Sequence, residues 1–108
     1  MKFVIERNKW SRKCSGNKIF DGKNYCLLGF LGKALKIPDE DMLGKWCLAG
    51  FAVKYPALKW LFKESVYKKR KNTNQTILMM LNDEKPFVPE SEIVKFLKAA
   101  KFDVVIKD

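Results

Sequence analysis

The chain contains no histidine. That absence excludes Ser-His-Asp and Cys-His catalysis, histidine general bases and zinc sites with histidine ligands. Cysteine is scarce as well. Cys14, Cys26 and Cys47 are widely spaced and include no C-x-x-C pair, so neither a zinc knuckle nor a redox dithiol is expected. The first residues, MKFVIERNKW, are charged and lack an apolar core, so no signal peptide is expected. Reduced thiols in a cytosol are then the default. No apolar run reaches the roughly 20 residues that a membrane helix needs. Glycine and proline are few, and no Walker or dinucleotide glycine pattern occurs. No carboxylate pair shows a spacing specific to a hydrolase. The chain is therefore expected not to be an enzyme, to carry no cofactor or metal, and to have no membrane partner.

What is present argues for a folded globule. The 108 residues suffice for one domain, residues 1–108, and 47% of them are hydrophobic. The longest apolar run, Tyr25–Ile37, predicts a central buried helix. Leu27, Leu28, Leu31, Ala34 and Leu35 fall on one helical face, and Phe30 and Ile37 widen it. Gly29 and Gly32 each cost such a helix about 1 kcal/mol against alanine, which close packing of another backbone would offset. Asn24 is the expected N-cap. Pro38 ends the element.

Around this segment, Lys2–Glu6 reads as a strand and residues 7–18 as a turn and loop. Asp21-Gly22 signals a turn. Residues 38–43 read as a short second helix, with Asp39, Glu40 and Asp41 at the positive end of its dipole and Gly44 as its stop. Residues 46–62 are rich in large apolar groups, but Gly50 and Pro56 break any regular period, so an irregular segment with a helical turn after Pro56 is expected. Two further helices follow. One is capped by Asn72 or Thr73 with Ile77, Leu78 and Leu81 inward. The other opens at Pro89 with Ile93, Val94, Leu97 and Ala100 inward. Phe102, Val104 and Ile106 then alternate as a strand. The expected fold is α+β: a single small domain with a central buried helix, several short helices, and a small sheet pairing the N- and C-terminal strands.

The formal charge is +10, concentrated in two blocks. Residues 1–36 hold nine Lys/Arg against Glu6 and Asp21, and residues 59–71 hold six against Glu64. Such an excess attracts nucleic acid, nucleotides, acidic proteins or anionic surfaces. The candidate anion or nucleic-acid site is Arg7, Lys9, Trp10, Arg12 and Lys13 from the first block, with Tyr67, Lys68, Lys69, Arg70 and Lys71 from the second. Trp10 is either an anchor to the core or an exposed ring for base stacking. The Tyr67–Lys71 run is either a solvated loop or helix end, or a phosphate-contacting patch.

Arg7-Asn8-Lys9-Trp10, a basic glycine-containing loop, and Tyr25–Pro38 (YCLLGFLGKALKIP) together carry a likeness. The chain resembles a group of small uncharacterised bacteriophage and prophage proteins. These have a tryptophan after a basic residue, a CCLGFLG core followed by a GIP turn, a later Asn-Asp pair, and a closing acidic helix leading into a strand. Leu81-Asn82-Asp83 and Glu90–Lys107 match the later parts. Tyr25 stands where the group has its first cysteine, and Lys36 where it has the glycine of the turn. The resemblance implies a phage origin and action in the host cytoplasm, and no mechanism.

Three function classes remain. The first is a non-enzymatic phage accessory protein that binds and modulates a host protein or defence factor. The second is a basic module binding nucleic acid or a nucleotide through the Lys/Arg clusters. The third is a structural virion component, which would need an assembly interface. The first is the leading expectation, since a basic surface alone is common.

Overall fold

The computed structural model describes residues 1–12, 18–84 and 86–108. Lys13, in the candidate site, lies outside the described residues, as does Cys14. The elements run β1 (Lys2–Glu6), α1 (Leu27–Ala34), α2 (Asp39–Met42), β2 (Glu64–Tyr67), β3 (Arg70–Thr73), α3 (Asn74–Asp83), α4 (Glu90–Ala99) and β4 (Asp103–Lys107), with 3₁₀ turns at Arg7–Lys9, Ala49–Phe51 and Pro56–Phe62. The fold is α+β, as expected.

β1 and β4 pair in parallel, with Phe3 beside Val104 and Ile5 beside Ile106. The same register sets Lys2 beside Asp103 and Glu6 beside Lys107, so opposite charges flank the pair at both ends. Phe3 and Ile5 are fully buried against the central helix.

α1 is that helix, shorter than the apolar run, with its first six residues, Leu27 to Gly32, all buried. Gly29 is required by a backbone approach: a methyl group there would collide with the Ile19 carbonyl, which itself accepts from the Cys26 N–H. At Gly32 the neighbour is the flexible end of Met42, a side chain rather than a backbone. Lys36 then turns the chain in the left-handed region at φ 63°, and the Ile37 N–H returns to the Gly32 carbonyl at 3.0 Å. This is the position where helices favour glycine.

Asn24 does not cap α1. Its own N–H goes to the Asp21 carboxylate, which closes the expected turn. The N-cap residue is Cys26, whose side chain makes no capping bond. The acceptor comes from a different helix: Asn82 Oδ1, on α3, accepts the Leu27 N–H at 3.1 Å and the Trp10 indole N–H at 2.7 Å. The Asn82 amide in turn donates to the Ser11 carbonyl at 3.0 Å. Asn82 is 1% exposed. The Asn-Asp pair therefore does more than end α3: it joins α1, α3 and the segment after β1.

α3 starts as expected, with the Thr73 hydroxyl accepting the Thr76 N–H at 3.2 Å. Asp39, in the first turn of α2, accepts the Tyr25 hydroxyl at 2.6 Å, while Pro38 occupies the N-cap position. The Tyr67–Lys71 run is not a helix end, and its central residues Lys68 and Lys69 form an exposed turn. It is the tip of an antiparallel hairpin, β2 with β3, in which Tyr67 lies opposite Arg70. Cys26 is buried and Cys47 is half-buried.

Asn82→Ala removes the acceptor shared by Leu27 and Trp10 and leaves both donors buried. It is expected to lower the unfolding free energy by about 2–4 kcal/mol. Urea denaturation measures this, and a loss below about 0.5 kcal/mol, the scale of an ordinary surface substitution, would remove Asn82 from this role. Lys36→Gly relieves the left-handed lysine and is expected to stabilise by about 1 kcal/mol in the same assay. An unchanged or lower midpoint would contradict that reading of the turn.

Candidate functional site

The two basic blocks are used differently. Arg7, at the end of β1, forks onto the Glu90 carboxylate in the first turn of α4, with Nε at 3.1 Å and Nη2 at 2.9 Å. Its Nη1 reaches Asp108 at 2.9 Å. The Arg7 hydrogen bond holds the Glu90 carboxyl below the usual carboxylate range, and the two carboxylates raise the Arg7 pKa. Such a bidentate pair is geometrically specific. It ties the first strand to the last helix.

Arg12 is equally committed. Its guanidinium lies 4.8 Å from the Trp10 ring centre and 4.7 Å from that of Phe87. Nη2 donates to the Leu81 carbonyl at 2.8 Å and Nε to the Asn82 carbonyl at 3.3 Å. A cation on the last carbonyls of α3 also suits the negative end of that helix dipole. Burial lowers the Arg12 pKa, yet an arginine stays charged. Trp10 is half-buried, with Arg12 over one face and its N–H spent on Asn82. Lys9 is exposed, 3.5 Å from Glu6.

The second block projects outward. Lys68 and Lys69 are the two central residues of the hairpin turn, at φ 52° and 64°. Two consecutive positive φ values mark the type I′ pattern, which normally takes Asn-Gly or Gly-Gly. Each lysine there carries a left-handed penalty of about 1 kcal/mol. No asparagine or glycine announces the turn, so only the pairing in space reveals the hairpin.

Lys68 sits 3.9 Å from Glu84, the residue after α3, and 5.6 Å from the Tyr67 ring. The hairpin thus folds back along α3 and brings its tip to the end of that helix where Arg12 also sits. Tyr67 donates its hydroxyl to Glu92 at 3.0 Å and packs edge-on against Phe96. Burial and then the Glu92 bond push the Tyr67 pKa up to about 12, so the phenol stays protonated and a donor at neutral pH. Among the described residues no salt bridge engages Lys69, Arg70 or Lys71. All three are exposed.

Beside the tip, β2 and α4 enclose an open groove of about 340 Å³. Val66, Phe96 and Ala99 supply its apolar lining, with Lys68 and Lys95 as cations and Glu92 as the acid. Val66 is 69% exposed, a large apolar side chain in contact with water next to unpaired charge. A larger open cavity of about 810 Å³ lies elsewhere, lined by Glu40, Asp41, Trp46, Cys47 and Phe51 among others. Among the described residues, no cluster of three acidic or cysteine side chains could hold a metal ion. No helix among them is long and apolar enough to cross a membrane.

Replacing the two turn lysines, Lys68→Asn with Lys69→Gly, is expected to raise stability by about 1–2 kcal/mol, since the lost Lys68–Glu84 contact is exposed and weak. Chemical denaturation measures it, and a destabilised double variant would show that the lysines do more for the fold than the turn conformation implies.

Comparison with protein-family models, with curated proteins and with solved structures finds no match to this chain.

Proposed function

We propose that this chain is a non-enzymatic accessory protein of phage origin that binds an acidic surface of a host protein through the β2–β3 hairpin. One observation carries the reading: a left-handed turn built from lysines projects Lys69, and after it Arg70 and Lys71, as cations that no carboxylate among the described residues pairs with. Strained backbone with unneutralised charge persists only where the surrounding structure holds it, and it collects at sites of recognition. The neighbouring groove adds Val66 and Phe96 as apolar contact surface, so the patch is suited to a protein and not to phosphates alone. The phage origin rests on the likeness of Tyr25–Pro38 and the surrounding pattern, and the host cytoplasm as the place of action follows from it.

The second reading, a nucleic-acid or nucleotide binder, draws on the same cations. It is weakened by the commitment of the first block. Arg7 and Arg12 already hold carboxylates and helix carbonyls, and Trp10 offers no free pair of faces to a base. The unpaired cluster then reduces to one hairpin.

Nuclease-treated host lysate passed over the immobilised protein tests the proposal. A discrete protein should be retained by the wild-type chain and lost with Lys69→Glu/Arg70→Glu and with Val66→Asp. Both substitutions fall on exposed positions, so thermal melting should stay close to wild type. Retention of the same protein by both variants, or recovery of nucleic acid alone from untreated lysate with a steep salt dependence, would overturn it.

A further inference from the structure

The β1–β4 sheet has only two strands, which leaves the outer edge of β4 without a strand partner among the described residues. Parallel strands ordinarily lie inside sheets covered on both faces, and a sheet of two parallel strands is a short one. On the core face, Phe3 and Ile5 of β1 are fully buried, while their partners Val104 and Ile106 on β4 remain half-exposed. The core therefore thins out at β4.

The hydrogen-bond parity of that strand follows from one contact. Asp103 N–H donates to the Met1 carbonyl at 2.8 Å, so Asp103 faces β1, and by alternation so do Val105 and Lys107. Val104 and Ile106 then direct their N–H and C=O groups away from β1. Among the described residues, no backbone hydrogen bond reaches them from that side.

The sequence of β4 is Asp-Val-Val-Ile-Lys. Laid antiparallel against a second copy about a two-fold axis at Val105, it pairs Val104 with Ile106, and Asp103 with Lys107, twice each. The outward-facing residues Val104 and Ile106 meet as hydrogen-bonded pairs, which gives four main-chain bonds. The same register makes two opposite-charge pairs and keeps Val104 and Ile106 on the core face of both copies. Shifting the axis by one residue loses one or more of these matches.

We infer that β4 is a self-association edge: two copies join β4 to β4 in antiparallel fashion, forming a four-stranded sheet in the order β1-β4-β4-β1. The isologous geometry closes at two copies. A five-residue edge lies at the low end of interface size, so the dimer forms in the micromolar range and depends on concentration. The inference stands apart from the hairpin and its partner.

Sedimentation velocity on the full chain from about 5 to about 500 μM tests it. The wild-type chain should pass from monomer to dimer. Asp103→Lys sets lysine against lysine, and Lys107→Asp sets aspartate against aspartate. Each should weaken association about tenfold or more. Mixed in equal amounts, the two variants present lysine to aspartate at both ends and should form the dimer again. Both positions are exposed, and circular dichroism of each variant checks that the fold is kept. Amide exchange on the wild-type chain gives a second reading that needs no variant: protection at Val104 and Ile106 should rise with concentration while that at Val105 stays constant. A wild-type monomer at 500 μM, undiminished association of either variant, failure of the mixture to pair, or concentration-independent exchange at Val104 and Ile106 would each overturn the inference.

Discussion

The amide side chain of Asn82 is the constraint on which the arrangement depends. Its oxygen serves two donors of different origin, the first helical N–H of α1 and the indole N–H of Trp10. Its nitrogen serves the Ser11 carbonyl. The start of a buried helix has orphan donors that water cannot reach, and here the acceptor arrives from a neighbouring helix. Neither aspartate nor leucine could replace it. The first would bring a charge into a buried site and lose the donor, and the second would take away the acceptor that the Leu27 and Trp10 donors share.

That hub also decides what becomes of the positive charge. Once Trp10 is drawn onto α3, Arg12 follows and lies across the helix end, filling the space between two rings and satisfying two carbonyls. Arg7 closes the same side onto Glu90. Cations that look alike in composition thus divide into those that hold the chain together and those on the hairpin that face water. Net charge could not make that division, because it depends on which carbonyls and carboxylates lie within about 3 Å.

Elements whose signals are local were legible in the sequence. β1 and β4 show compact β-forming runs, α3 carries its cap at Thr73, and α4 opens at Pro89 with acids in its first turn. That the outer strands pair followed from their character alone, while the parallel direction of the pairing is seen only in the structure. The cap of α1 was not legible, because its acceptor lies 55 residues away and Asn24 offered a nearer, equally plausible oxygen. The hairpin was hidden for a different reason. Its turn uses lysines at φ values that favour glycine, and β2 and β3 hold few β-branched residues. Of the candidate site, the second block proved to be one outward structure, while the roles of Arg7, Trp10 and Arg12 became clear only with their partners.

The pairing of β1 with β4 has a kinetic consequence. Strand Lys2–Glu6 leaves the ribosome first, and its ladder partner Asp103–Lys107 emerges only after the four intervening helices and the hairpin. During synthesis Phe3 and Ile5 have no β neighbour, so the sheet closes after translation and across nearly the whole chain. Closure at that range carries a large loop entropy and gives slow, late docking of the two ends onto helices that are already formed. Until then the nascent chain presents an apolar strand, a natural substrate for a chaperone.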